Sequence, residues 1–164
     1  MNKLEKVKEE IPSLIEKYKG EYYTEKKSAI YCERLISKLN LLNIKERKVT
    51  VDSVYIVNKR DTTLLAQACI HNDYVLLKFL IKSCRVDMEQ LIFINEFELW
   101  DNITFHTLDA KFDQFKRVPF LNIKAPILWH ACRCVNYNII KLLCNTSADV
   151  NSQTETYLNS TPLM

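Results

Sequence analysis

Glycine is nearly missing from this sequence. Gly20 is the only one among 164 residues, where average usage of about 7% would give roughly eleven. Loops that cradle phosphate need several glycines so that backbone N–H groups can approach the anion. One glycine therefore excludes both a Walker-type loop and a dinucleotide fingerprint. The six cysteines include no C-x-x-C pair, so the ligand spacing of common zinc modules is missing too. No apolar run approaches the ~18–20 residues that cross a bilayer. The opening "MNKLEKVKEEIPSL" is charged throughout and has no signal-peptide core. These absences lead us to expect an intracellular protein, cytoplasmic or nuclear as well, with thiols rather than disulfides and no membrane contact.

Charge is present but small overall. Residues 1–60 hold 14 Lys+Arg against 9 Asp+Glu, a balance of +5, and the other 104 residues hold 9 against 11, a balance of −2. A basic first third reads as a solvated helix surface. It lacks the interleaved aromatics of a single-strand-binding groove, so we expect no nucleic-acid partner.

Apolar periodicity predicts an all-α chain. Leu4, Val7, Ile11, Leu14 and Tyr18 recur at three and four residues and form one stripe of a helix over 2–19, with a break expected near Pro12. A second helix is expected from an N-cap at Thr24 to about Ile44, with Ile30, Leu35, Leu39 and Leu42 inward. The β-branched run "VTVDSVYIV" at 49–57 suits an extended segment or another helix. Residues 1–57 thus read as an N-terminal helical region, and 58–164 as a second one.

The second region contains a repeat. Shifted by 63 residues, "TLLAQACIHNDYVLLKFL" (63–80) and "PILWHACRCVNYNIIKLL" (126–143) share Leu65/Leu128, Ala68/Ala131, Cys69/Cys132, Tyr74/Tyr137, Lys78/Lys141 and Leu80/Leu143. Six identities in eighteen exceed the one or so that composition gives. Each copy reads as a short helix, a turn at Asn72-Asp73 or Val135-Asn136, and a second apolar helix. Such a pair buries one face and leaves another for a neighbour, the logic of a stacked array.

The "ADVN" at 148–151 after "IIKLL", and "STPLM" at 160–164, make this repeat resemble the ankyrin repeat. In that register Leu128 takes the leucine of T-P-L-H, Trp129 the histidine, and Ala131 the small residue at the helix contact. The resemblance implies an ankyrin-type helical solenoid fragment. It would hold about two divergent repeats (60–87 and 124–153), an aromatic-rich insertion at 88–122, and an incomplete repeat from 159. Val135 and Ser147 stand where the family has glycine, and Asn72 stands at the turn glycine of the first copy. More narrowly, "KRDTTLL", "KSCRV", "KFD", "APILWHAC" and "VNSQTETYLNSTPL" are similar to the first repeats of the feminization-type substrate receptors of cullin-2 ubiquitin ligases. That similarity implies a protein-binding module that grips the C-terminal tail of a substrate. It would reach the ligase only through a region this chain lacks. The alternative is a general ankyrin scaffold or adaptor, or a truncated product, with the insertion as its contact surface.

The stretch "HACRC" poses the question of chemistry. At 100° per helical residue His130 and Cys134 share a face while Cys132 lies about 200° from His130, so at most two ligands converge where structural zinc needs four. Nothing local supplies the base and oxyanion donors that a nucleophilic cysteine requires. We therefore expect no metal, no cofactor and no catalytic residue. Trp129 either fills space between repeats or forms the flat wall of a peptide pocket. By the resemblance, Asn159 and Ser160 could hold a tail carboxylate, and Asp113, matching the family's "FD" loosely, could pair with a cationic residue of the degron.

Overall fold

A computed structural model of the chain describes residues 2–19, 25–57, 60–93, 124–133, 137–155 and 161–162. The described residues are mostly helical. In chain order they form α1 (Lys3–Lys19), α2 (Glu25–Asn40), α3 (Ile44–Val51), β1 (Tyr55–Val57), β2 (Arg60–Thr62), α4 (Leu64–Ile70), α5 (Tyr74–Cys84), β3 (Ile92–Phe93), β4 (Lys124–Ala125), α6 (Ile127–Arg133) and α7 (Tyr137–Asn145).

Two helices begin with the same device. Asn2 Oδ1 accepts the Glu5 N–H at 2.9 Å while Glu5 Oε2 accepts the Asn2 N–H at 3.0 Å, and Asn43 and Glu46 repeat both bonds at α3. These reciprocal capping boxes satisfy otherwise orphaned N–H groups. The break expected at Pro12 does not occur, because α1 runs through it. The proline forfeits one backbone bond, but Val7, Ile11 and Ile15 are buried on either side of it and hold the register. α2 ends at Asn40, short of the expected Ile44, because Asn43 caps a new helix. Leu35, Leu39 and Leu42 face inward as expected, whereas Ile30 faces outward at 44% exposure. The expected cap Thr24 lies outside the described residues. The run 49–57 divides: its first residues complete α3 and its last form β1.

The two copies of the repeat fold alike. α4 begins at Leu64 and α6 at Ile127, α5 at Tyr74 and α7 at Tyr137, so both starts keep the 63-residue shift. Each is preceded by a short antiparallel ladder, β1 with β2 (Tyr55↔Thr62) and β3 with β4 (Ile92↔Ala125). The β3–β4 ladder brings together the two ends of the segment that separates the copies. α4 packs on α5 and α6 on α7; then α4 packs on α6 and α5 on α7, first helix to first and second to second. α2 and α3 pack on α5, and α1 packs on α2, α3 and β1. One hydrophobic cluster runs through the whole stack, from Val7 to Ala148.

The turns use left-handed residues, and none is glycine. Asn72 has φ 54°, Arg85 φ 54° and Ser147 φ 68°. At Asn72 the chain closes a Schellman motif: the Asp73 N–H reaches the Ala68 carbonyl at 2.8 Å and the Asn72 N–H the Cys69 carbonyl at 3.1 Å. Asp73 then caps α5, its Oδ1 accepting the Leu76 N–H at 2.9 Å. Ser147 serves after α7 in the same manner, with the Ala148 N–H on the Leu143 carbonyl at 3.2 Å. The expected turn at Val135-Asn136 lies outside the described residues.

The loops that follow α3, α5 and α7 are tied to one another by carboxylates. Asp52 Oδ1 accepts the Asp87 N–H at 3.0 Å, and Glu89 Oε1 accepts the Asp149 N–H at 2.8 Å. Ser152 Oγ also donates to Glu89. Asp87 and Asp149 are themselves alike, since each Oδ1 accepts the N–H two residues on. The α3 loop thus meets the α5 loop as the α5 loop meets the α7 loop, which extends the stack's design into the N-terminal region. Glu89→Ala removes two charge-assisted bonds at an exposed site. It is expected to cost about 0.5–1.5 kcal/mol, read as a lower urea midpoint with an unchanged m value. An unchanged midpoint would show that apolar packing alone holds these loops.

Candidate functional site

The residues singled out in the second copy sit where β4 turns into α6. Pro126 opens the helix: its carbonyl accepts the Trp129 N–H at 3.1 Å and the His130 N–H at 3.4 Å, and its missing N–H costs nothing there. Trp129 and His130 stand edge to face, with ring centroids 5.3 Å apart and planes at 87°. His130 is buried, and its Nε2 lies 3.1 Å from the Ile92 carbonyl on β3. On the far side of β4 the chain returns from α7, where the Glu155 N–H bonds the Lys124 carbonyl at 3.0 Å.

The first copy has a related arrangement. Gln67, equivalent to His130, is fully buried and its Nε2 donates to Thr62 Oγ1 at 2.7 Å on β2. Thr63 caps α4, its Oγ1 accepting the Ala66 N–H at 3.1 Å. In each copy, then, a buried polar side chain on the first helix fastens a strand of the ladder before it. Ala66 occupies the place of Trp129, and both are buried.

Trp129 is 8% exposed. Its ring lies edge-on to His130 and shows little surface to solvent, so low exposure is what both readings of Trp129 must accommodate. Asp113, Asn159 and Ser160 lie outside the described residues, so Trp129 is the one nominated peptide contact with a described position. In "HACRC", His130 is engaged by the Ile92 carbonyl, Ala131 is fully buried in the core, and Cys132 beside it is half-buried. Burial pushes the Cys132 thiol up, with Cys144 nearby adding to the rise. Burial likewise raises Cys84 to about 11 and Cys32 to about 12, against the depressed thiols of reactive cysteines.

No family model matches the chain, and no curated protein matches it. The described residues include no helix long and apolar enough to cross a membrane. Tyr74/Tyr137 and Lys78/Lys141 mark the repetition in the sequence. They carry a second signal as well, identity four residues apart on a helix face that packing does not select.

Proposed function

We propose that the chain is a protein-binding module of the ankyrin type, built from about two divergent repeats behind an N-terminal helical region. The observation that carries this reading is the equivalence of the two helix pairs, with element starts 63 residues apart and like helices stacked on like. A stack of this kind exposes an extended surface of helices and strand pairs, and such surfaces hold polypeptide. The module does no chemistry of its own, holds no cofactor and works in the cytoplasm. Its finer role is that of the substrate-facing part of a cullin-2 ubiquitin-ligase receptor, with Trp129, Asn159, Ser160 and Asp113 at the tail site. Support for that role comes from "APILWHAC" and "NSTPL" in the sequence.

The burial of Trp129 favours a second reading, a general ankyrin scaffold whose contact surface lies elsewhere. Titrating matched peptides with free and amidated C-termini against the full chain separates the two. A receptor for C-terminal tails binds the free carboxylate at least about tenfold more tightly, because a pocket built for an anion leaves its donors unpaired against an amide. Equal binding of both forms removes the tail-reading role and leaves the scaffold.

A further inference from the structure

Packing accounts for most of the repeat's identities. Leu65, Leu128, Ala68, Ala131, Leu80 and Leu143 are buried, and Cys69 is buried where Cys132 is half-buried. It does not account for the other two. Tyr74 is 41% and Tyr137 72% exposed, and Lys78 and Lys141 face solvent. In both copies tyrosine and lysine stand four residues apart, on an exposed helix stripe that borders the buried side, so each pair forms a neighbouring couple. Lys78 Nζ lies 5.9 Å from the Tyr74 ring centroid, within cation–π range. Neither α5 nor α7 carries an acidic side chain, while Lys82 adds a further exposed cation to α5. Asp73, just before the stripe, is buried and caps its own helix. The face thus presents ammonium groups and aromatic rings with no counter-charge of its own.

We propose that this outer face of α5 and α7 binds an acidic, extended segment of a partner protein, with Tyr74–Lys78 and Tyr137–Lys141 as equivalent clamps. Helices packed on one another lie about 8–10 Å apart. A polyproline-II segment repeats every three residues, about 9 Å, so carboxylates at every third position meet successive lysines. Its ridges suit exposed aromatic rings as well. Duplex nucleic acid fits less well, because each strand carries one phosphate per about 3.4 Å of helix axis and the clamps are few and wide apart.

The test uses the full chain and fluorescein-labelled, C-amidated nonapeptides in a proline-alanine background. Glutamate stands at every third position in one peptide and at every second in another, and the anisotropy titrations run at low salt. Amidation keeps the outcome independent of the tail-reading role. The three-residue spacing is expected to bind more tightly. Lys78→Glu with Lys141→Glu is expected to weaken it at least about tenfold, since like charges now oppose each other. Tyr74→Ala with Tyr137→Ala should weaken it several-fold. All four positions are exposed, and circular dichroism checks that the fold is kept. The proposal fails if neither peptide binds, if charge reversal leaves binding unchanged, if the two spacings bind alike, or if a single-stranded oligonucleotide of equal charge binds more tightly.

Discussion

Leu77→Ala should destabilise the protein by about 2–5 kcal/mol, and Ile140→Ala, at the equivalent place one level along, by no more than about half as much. The difference follows from where each stands in the stack. Leu77 and Ile81 on α5 are buried, while Ile140 and Cys144, their counterparts on α7, are half-buried and exposed. Cys69 and Cys132 differ in the same sense. If this side of each pair faced the preceding level, α5 would cover it in α7. It is open there, so it faces the following level, and α6–α7 provide the cover in the first pair. Truncating Leu77 opens a cavity between two levels and weakens the interface that joins them. Truncating Ile140 removes a side chain from the end of the described stack, where the site is already partly wet. Urea unfolding of both variants measures the difference. Equal losses would mean that the pairs are held within themselves and that stacking contributes little.

The parts of this fold that were legible in sequence are those in which one physical demand repeats. Both helix pairs must bury Leu65 or Leu128, Ala68 or Ala131, and Leu80 or Leu143, so the pattern recurs and alignment finds it. Asn72 was legible too, because a left-handed turn without glycine favours asparagine. Other features depended on competition that local pattern does not reveal. The β-branched run 49–57 divides because Asn43 and Glu46, upstream of it, start a helix that extends through Val51. Ile30 points outward because the inward stripe of α2 is already taken by Tyr31, Leu35 and Leu39. Pro12 was expected to end a helix, yet the apolar residues on both sides outweigh one lost bond.

The candidate site was less legible. An aromatic ring between two repeats and one lining a groove have the same neighbours in sequence, so sequence alone leaves both readings of Trp129 open. The pairing of Ile92 with Ala125 and the reach of His130 to the Ile92 carbonyl join residues on either side of a long intervening segment. No periodicity encodes those contacts. The carboxylate ties of Asp52 and Glu89 escaped for a related reason, since they link loops 35 and 60 residues apart through backbone N–H groups.

Stability is also expected to fall steeply in alkali. Burial raises Cys84 from 9.0 to about 11, and burial with the nearby Asp73 and Glu33 carboxylates raises Cys32 from 9.0 to about 12. Tyr31, packed beside Cys32 and near Asp73, is pushed well above the ordinary tyrosine value, first by burial. Tyr55, whose hydroxyl donates to the Thr50 carbonyl at 2.7 Å, is pushed up by burial as well. In each case the folded protein holds its proton more tightly than the unfolded chain. The stabilisation is therefore complete below about pH 8, where even the unfolded thiols are protonated, and declines as pH rises through their ordinary value. The thiols act first and the tyrosines join above about pH 10. Each proton retained only by the folded state contributes a slope of about 1.4 kcal/mol per pH unit, so two thiols alone would remove several kcal/mol by about pH 11. Urea midpoints taken from pH 7 to 11 should be flat to about pH 8 and then drop. Cys32→Ala with Cys84→Ala should delay the onset by about one pH unit, leaving the tyrosine-driven part. A midpoint that holds constant to pH 11 would mean that these four groups are open to water, and that the core joining α2, α3 and α5 is looser than its packing indicates.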